Sequence, residues 1–295
     1  MKRVGVDIGG TQLRCAIFDQ DGNILEKFKI RNDRSLSAKE NLDRLIAFIN
    51  QRNEEFQFHT IGIGCPGPLN LRLGKILNPP NLNEDWCNLE IVKYFEEKTG
   101  IKTFLNGDGK LAGLAEATLG AGKGYESVFY ITISTGVGGA YIYRGEIMTG
   151  ANAMAGEVYN LMVCDDPYHR KNALPGSTNE NCSGSALERM ALERYGHPVS
   201  CKDLFQLYYQ GDPIAVELVE QKFILGMARA IGNISCIVDP DIFVLGGSIA
   251  NKEPIVFDKL CEKAKEFVPF PQFLRIRHAQ FEDDAGLIGA ALLEN

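Results

Sequence analysis

The sequence predicts an α/β protein made of two similar halves that face one another across a cleft. Three observations carry this reading. An apolar strand runs into a Gly-rich turn and straight back into a second strand at "VGVDIGGTQLRCAIF", residues 4–18. The same design of strand, Gly-rich turn, strand, tight turn and strand returns at "VFYITISTGVGGAYIYRGEIMTG", residues 128–150. Around these two blocks lie stretches whose apolar residues recur at helical spacing.

The elements follow in order. Residues 3–10, 11–19 and 24–30 read as strands, the last two joined by the turn "QDGN". Residues 37–52 have helical spacing, with Leu42, Leu45, Ile46 and either Phe48 or Ile49 on one stripe. "TIGIGCPGPL" (60–69) is a strand entering a Pro-Gly loop, and 90–100 is a helix ended by Gly100. Residues 101–108 form a strand ending in Asp108, and 110–122 a helix. In the second half, 156–181 is loop-rich. Helices are expected over 183–196, 202–211, 213–238 and 251–268, strands over 240–247 and 273–281, and a last helix over 285–295. No low-complexity linker separates the halves, so a hinge is expected between them rather than a tether.

The bulk numbers agree with a soluble globular chain. Its 295 residues suit about two domains. Hydrophobic residues make up 45% and charged residues 23%. A net charge of −7 leaves no basic surplus to neutralise phosphates, which argues against a nucleic-acid partner. The eight cysteines are scattered without a CxxC pair and read as reduced thiols of a cytoplasmic protein. No apolar run is long enough to span a membrane, and the first residues do not form a signal peptide.

The chemistry gathers at three Gly-rich turns after apolar strands: Asp7-Ile-Gly9-Gly10-Thr11, Ser134-Thr135-Gly136-Val-Gly138-Gly139, and Leu245-Gly246-Gly247-Ser248. Glycine lets backbone approach an anion, and amides with Thr hydroxyls donate to phosphate oxygens. A hairpin needs glycine anyway, so one such turn says little. Three at strand ends, two of them in duplicated positions, point to nucleotide phosphates. Neither G-x-G-x-x-G nor a P-loop is present. Asp108 follows a strand and precedes a helix, hence lies at the carboxyl edge of a sheet. A carboxylate there can take a proton from an attacking hydroxyl, or simply cap the helix. Polar residues on the stiff loops "CPGPLN" and "NPPNLNEDW" suit hydroxyl recognition, or plain turn chemistry, and Glu157 in "MAGEVYN" stands between small and aromatic residues.

Together with "NGDG", "VDPDIFVLGGSI" and "DDAGLIGAALL", these motifs resemble the ROK family of sugar kinases and related repressors, in order and over nearly the whole chain. The resemblance implies two actin-like (ribonuclease H-like) domains with mixed sheets flanked by helices, nucleotide and sugar lying in the interdomain cleft. The smaller domain would be residues 1–115 joined by the C-terminal helix 284–295, the larger 116–283. It implies ATP-dependent phosphorylation of a hexose, usually at the 6-hydroxyl, with cleft closure excluding water. Asp108 matches the catalytic base. Asp7, Gly9, Gly10, Thr11 and Gln12 match the first phosphate loop, and Thr135, Gly136, Gly138 and Gly139 the second. Gly246, Gly247 and Ser248 would lie by the adenosine. Pro66, Gly67, Asn81, Asn106, Asp108, Glu157, Asn160 and Glu180 would face the sugar. Mg2+ would bridge the ATP phosphates, with Asp7 nearby through water. The resemblance also implies a homodimer.

Departures fall on the sugar side. The family often carries a structural zinc site of one His and three Cys. Here the His position is Asn160, and only Cys164 and Cys182 remain, with His169 between them, so the zinc site is expected to be lost. Either Glu180 or Asn179 would replace a second sugar-binding Glu. The Asn that usually precedes the base is Gly107, which shifts a sugar contact to Asn106 or removes it. "ENCSGSALERMALERY" and "NPPNL" look closest to the allose kinase branch, with N-acetylmannosamine and then glucose or a β-glucoside as alternatives. A repressor would need a helix-turn-helix before the first phosphate strand, which begins at residue 4. A silent sugar sensor is the remaining alternative, opposed by the retained Asp108.

Overall fold

The computed structural model describes residues 1–79, 82–170 and 173–293. By compactness the chain divides into two units: Met1–Ala115 with Thr149–Met154 and Asp283–Asn295, and Glu116–Met148 with Ala155–Glu282.

The first unit begins with β1 (Lys2–Ile8), β2 (Gln12–Phe18) and β3 (Ile24–Arg31), an antiparallel meander. Helix α1 (Ala38–Phe56) then leads to β4 (Phe58–Cys65), parallel to β1. Short strands β5 (Leu69–Asn70) and β6 (Lys75–Ile76) pair in the loop beyond. Helix α2 (Ile91–Thr99) ends at Gly100 in the left-handed conformation. Strand β7 (Lys102–Gly107) lies parallel to β4, and α3 (Asp108–Thr118) follows. The sheet order is β3-β2-β1-β4-β7.

The second unit repeats this order. Strands β8 (Ser127–Ile133), β9 (Val137–Tyr143) and β10 (Glu146–Ile147) are antiparallel. Helices α4 (Thr178–Cys182), α5 (Gly184–Tyr195), α6 (Cys201–Tyr209), α7 (Pro213–Val216) and α8 (Leu225–Val238) come next. Strand β11 (Ile242–Gly246) is parallel to β8, and α9 (Gly247–Lys252) and α10 (Pro254–Ala264) lead to β12 (Ile276–His278). The order β10-β9-β8-β11-β12 matches the first sheet strand for strand, as the duplicated hairpins predict. Helix α11 (Ala285–Ala291) returns to the first unit and packs on β1 and β4.

Helix α1 shows why the local pattern works. Leu42, Leu45, Ile46 and Ile49 are buried against the sheet, each worth about 1.5–3 kcal/mol. Ile49 takes the fourth place, while Phe48 is half-buried and stacks on Phe28 at 4.2 Å. Ser37 and Glu40 cap the start reciprocally: the Glu40 amide donates to Ser37 Oγ at 3.2 Å, and the Ser37 amide to Glu40 Oε2 at 2.8 Å. Ser37→Ala is expected to cost about 1 kcal/mol, read as a lower denaturant midpoint with an unchanged slope.

Three sequence expectations are corrected. The strand over 273–281 shrinks to three residues, because only they pair with β11. The helix over 213–238 contains a π-helical stretch, Glu217–Ile224, which a 3.6-residue period does not foretell. The loop-rich region holds the short helix α4, five residues and thus too brief to show a period. Among the described residues no helix is long and apolar enough to cross a membrane. The eight cysteines are free thiols.

Candidate active site

In the first unit, the carboxyl ends of the three parallel strands converge. Register pairs Asp7 with Gly64, and Cys65 with Gly107, so Asp7, Cys65 and Asp108 come from adjacent strand ends. The Asp108 carboxylate accepts the Gly109 amide at 2.7 Å. Water reaches Asp108, yet protein crowds it. Its carboxyl is therefore pushed above the ordinary carboxylate value, by burial first and then by the charge of Asp7, with the Gly109 amide acting in the other direction. The Cys65 thiol is pushed up as well, by burial and by both carboxylates, and stays protonated. A Cβ at Gly107 or Gly109 would meet nothing within 4 Å, so the space beside Asp108 is open on both sides.

Asp7 is held by a residue the sequence reading passed over. Arg14 donates to its Oδ2 from Nε at 2.9 Å and Nη2 at 2.6 Å. The signal was present: counting across the turn from Ile8 and Leu13 sets Arg14 opposite Asp7. The turn itself is closed by the Gly9 amide on the Gln12 carbonyl at 2.9 Å. A Cβ at Gly9 would crowd that carbonyl at 2.9 Å, which explains the glycine. Asn32 pins the turn, donating from Nδ2 to the Gly9 carbonyl and from its amide to Thr11, each at 2.9 Å. Gly10 is half-buried, and Thr11 and Gln12 are exposed.

Pro66 and Gly67 follow β4 directly, and the Gly67–Pro68 bond is cis. Asn106 is buried with its Oδ1 accepting the Gly107 amide at 2.9 Å. Asn81 lies outside the described residues. Lys110, also buried, donates to the Ala153 carbonyl at 2.7 Å and so ties Thr149–Met154 to α3.

In the second unit the Gly-rich turn is shorter than the sequence implied. Only Ser134, Thr135 and Gly136 form it, closed by the Ser134 amide on the Gly136 carbonyl at 2.9 Å. Thr135 and Gly136 are exposed. Gly138 and Gly139 are strand residues paired with Thr132 and Ile131. A Cβ at Gly139 would sit 2.5 Å from the Gly156 carbonyl, so this glycine serves packing. Gly247 likewise brings its backbone against the Ile133 carbonyl, and Gly246 lies against Tyr130, while Ser248 beside them is exposed.

Glu157 is half-buried after Gly156. Backbone bonds from Thr178 to Leu161 and Asn179 to Tyr159 fasten this stretch to α4. Asn160 Oδ1 accepts the Leu174 amide at 2.9 Å. Asn179 Oδ1 accepts the Val137 amide at 3.1 Å, which props the Gly-rich turn. Glu180 is buried with both oxygens on Arg170, and Asn179 Nδ2 donates to its Oε1 at 3.1 Å. A sugar hydroxyl would meet Glu180 only in competition with that guanidinium. Among the described residues no group of three or more His, Cys, Asp or Glu is placed to hold a metal ion.

A model of the ROK family matches residues 3–295. The glucokinase of Thermotoga maritima is 29% identical over 309 residues, covering 99% of this chain and 96% of its own. The N-acetyl-D-glucosamine kinase of Pasteurella multocida is 30% identical over 314 residues, covering 99% and 98%. Among solved structures, a ROK hexokinase from Thermus thermophilus is similar with a TM-score of 0.89 at 32% identity, covering 99% of this chain and 97% of that one. A ROK family glucokinase from Streptomyces griseus, in complex with glucose and AMPPNP, is similar with a TM-score of 0.75 at 26% identity, covering 99% and 98%.

Proposed function

This chain belongs to the ROK family, and on that premise we propose that it is a sugar kinase, transferring the γ-phosphoryl group of ATP to a hexose hydroxyl, in the first instance the 6-hydroxyl. The observation that carries the reading is Asp108: a carboxylate at the strand edge, raised by burial and by Asp7, with open space at the glycines on either side. Such a group can accept the proton of an attacking hydroxyl. Relatives named for glucose and N-acetylglucosamine phosphorylation, and one solved with an ATP analogue, support the donor and the substrate class.

The roles divide by chemistry. The turns at 9–12 and 134–136 supply amides and hydroxyls for phosphate oxygens, and Gly246, Gly247 and Ser248 face the nucleoside. Glu157 and the Pro66–Gly67 loop are assigned to sugar hydroxyls. Mg2+ bound with ATP would neutralise developing phosphate charge, and Asp7 fits it through water, since both Arg14 contacts fall on Oδ2.

The test is ADP release with Mg-ATP across glucose, N-acetylglucosamine, allose, N-acetylmannosamine, mannose and a β-glucoside. One strongly preferred sugar, with turnover lost on Mg2+ chelation and restored by adding the ion back, is the expected result. Relatives named for glucose and N-acetylglucosamine support including those two sugars in the panel beside allose. No turnover on any sugar would overturn the kinase reading.

A further inference from the structure

The excursion between Cys164 and Gly176 is where a zinc site would stand in many relatives by resemblance, and its donors do not fit a metal here. Cys164 Sγ points at the Gly176 carbonyl at 3.8 Å, and Cys182 Sγ at the Lys222 carbonyl at 3.8 Å. Cys182 is wholly buried. His169 is exposed and lies against the Pro167 carbonyl at 3.3 Å. The buried oxygens without a partner nearby, Ser177 Oγ and Asn181 Oδ1, are neutral and offer a zinc ion no charge.

A different fastening is on the page. The neck of the excursion is closed by backbone bonds from Val163 and Cys164 to the Gly176 carbonyl, at 2.8 and 3.3 Å. From the exposed segment beyond, Arg170 reaches in to Glu180. Its Nε lies 2.9 and 3.0 Å from the two carboxylate oxygens, and its Nη2 2.7 Å from Oε1. The Glu180 side chain is 1% exposed and that of Arg170 49%. A buried carboxylate is tolerated only when paired and hydrogen-bonded, and the multiple contacts here meet that condition. Arg189 adds to the same point, with its guanidinium 3.7 Å over the Tyr168 ring and its Nη2 on the Glu180 carbonyl at 3.0 Å.

We propose that the Arg170–Glu180 ion pair, and not a metal ion, fastens the exposed 165–170 segment to the second unit. Glu180 is then a fastening residue rather than a sugar ligand. The inference stands on these contacts and does not depend on the kinase reading.

Hydrogen exchange and thermal melting of the full chain test it. Arg170→Met is expected to speed amide exchange over 165–170 at least tenfold, on the order expected when a local fastening is lost, and to lower Tm by leaving Glu180 buried and unpaired. In Arg170→Met/Glu180→Gln, Tm should recover in part, because no charge is stranded, while exchange stays fast. Treating the wild-type protein with 1,10-phenanthroline or EDTA should change neither reading. Should Arg170→Met fail to fold, Arg170→Lys is expected to show intermediate exchange. Wild-type protection in Arg170→Met, protection lost on chelation, or one zinc per chain by elemental analysis would each overturn the proposal.

Discussion

Replacing Asp108 by Asn is expected to lower kcat/KM by about 10²–10⁴-fold, the range a positioned general base supplies, without loss of stability. The side chain keeps its size and can still take the Gly109 amide through its oxygen. It loses only the capacity to accept a proton. The raised carboxyl also fixes two pH dependences. First, the acid limb of wild-type kcat/KM should lie above the ordinary carboxylate range, because the base must be ionised to work. Second, stability moves the other way. The folded state holds the Asp108 proton more tightly than the unfolded chain, so stability due to this group falls as pH rises from its unfolded value, about 4, through its raised folded value. Above that window the ionised carboxylate is a net cost, and Asp108→Asn should melt at the same temperature as wild type or higher. Melting curves in acid and at neutral pH, beside the turnover assay, check both. A variant that keeps more than a tenth of wild-type kcat/KM would remove Asp108 from the role of base.

Gly62→Ala is expected to destabilise the protein by about 3 kcal/mol or more, the upper end of overpacking in a closed core. A methyl at Gly62 would collide with the Ala290 carbonyl, and one at Gly5 with the Leu287 carbonyl. Helix α11 therefore rests backbone against backbone on β1 and β4. On its other side, Gly289 meets the Leu111 carbonyl of α3, the base-bearing helix. None of these neighbours is the movable end of a side chain, so the added methyl must displace the helix. Tm should fall by roughly 6 °C or more. Gly109→Ala is the control: nothing lies within 4 Å of its would-be Cβ, so its melting temperature should not drop. Equal behaviour of the two variants would show that α11 is not seated this closely.

Much of the fold and part of the site were legible from local pattern. Alternation of apolar residues marked β1 and β2, and the 3.6-residue stripe of Leu42, Leu45 and Ile46 marked α1, because each signal is contained in a few neighbouring residues. Asp108 was legible for the same reason: a strand, then a carboxylate, then a helix. The second phosphate turn was read too long because glycine has two uses. At Gly136 it makes a turn, while at Gly139 it lets the Gly156 carbonyl approach a strand, and the letter is the same.

The succession of strands and helices along the chain, the doubling of the hairpin design and the strand-end place of Asp108 are what the sequence by itself determined, since they follow from periodicity and from repetition within one chain. The tertiary structure alone decided the rest. Lys110 reaches Ala153 across 43 positions of sequence. Glu180, which the family resemblance offers beside Asn179 as a sugar ligand, is engaged by the Arg170 guanidinium. Gly5 and Gly62 are demanded by a helix more than 200 residues later. Each of these depends on which distant backbone or charge the fold brings within a few ångströms. Hydrogen bonds, ion pairs and van der Waals contact act only over that range, so no local pattern carries their partners.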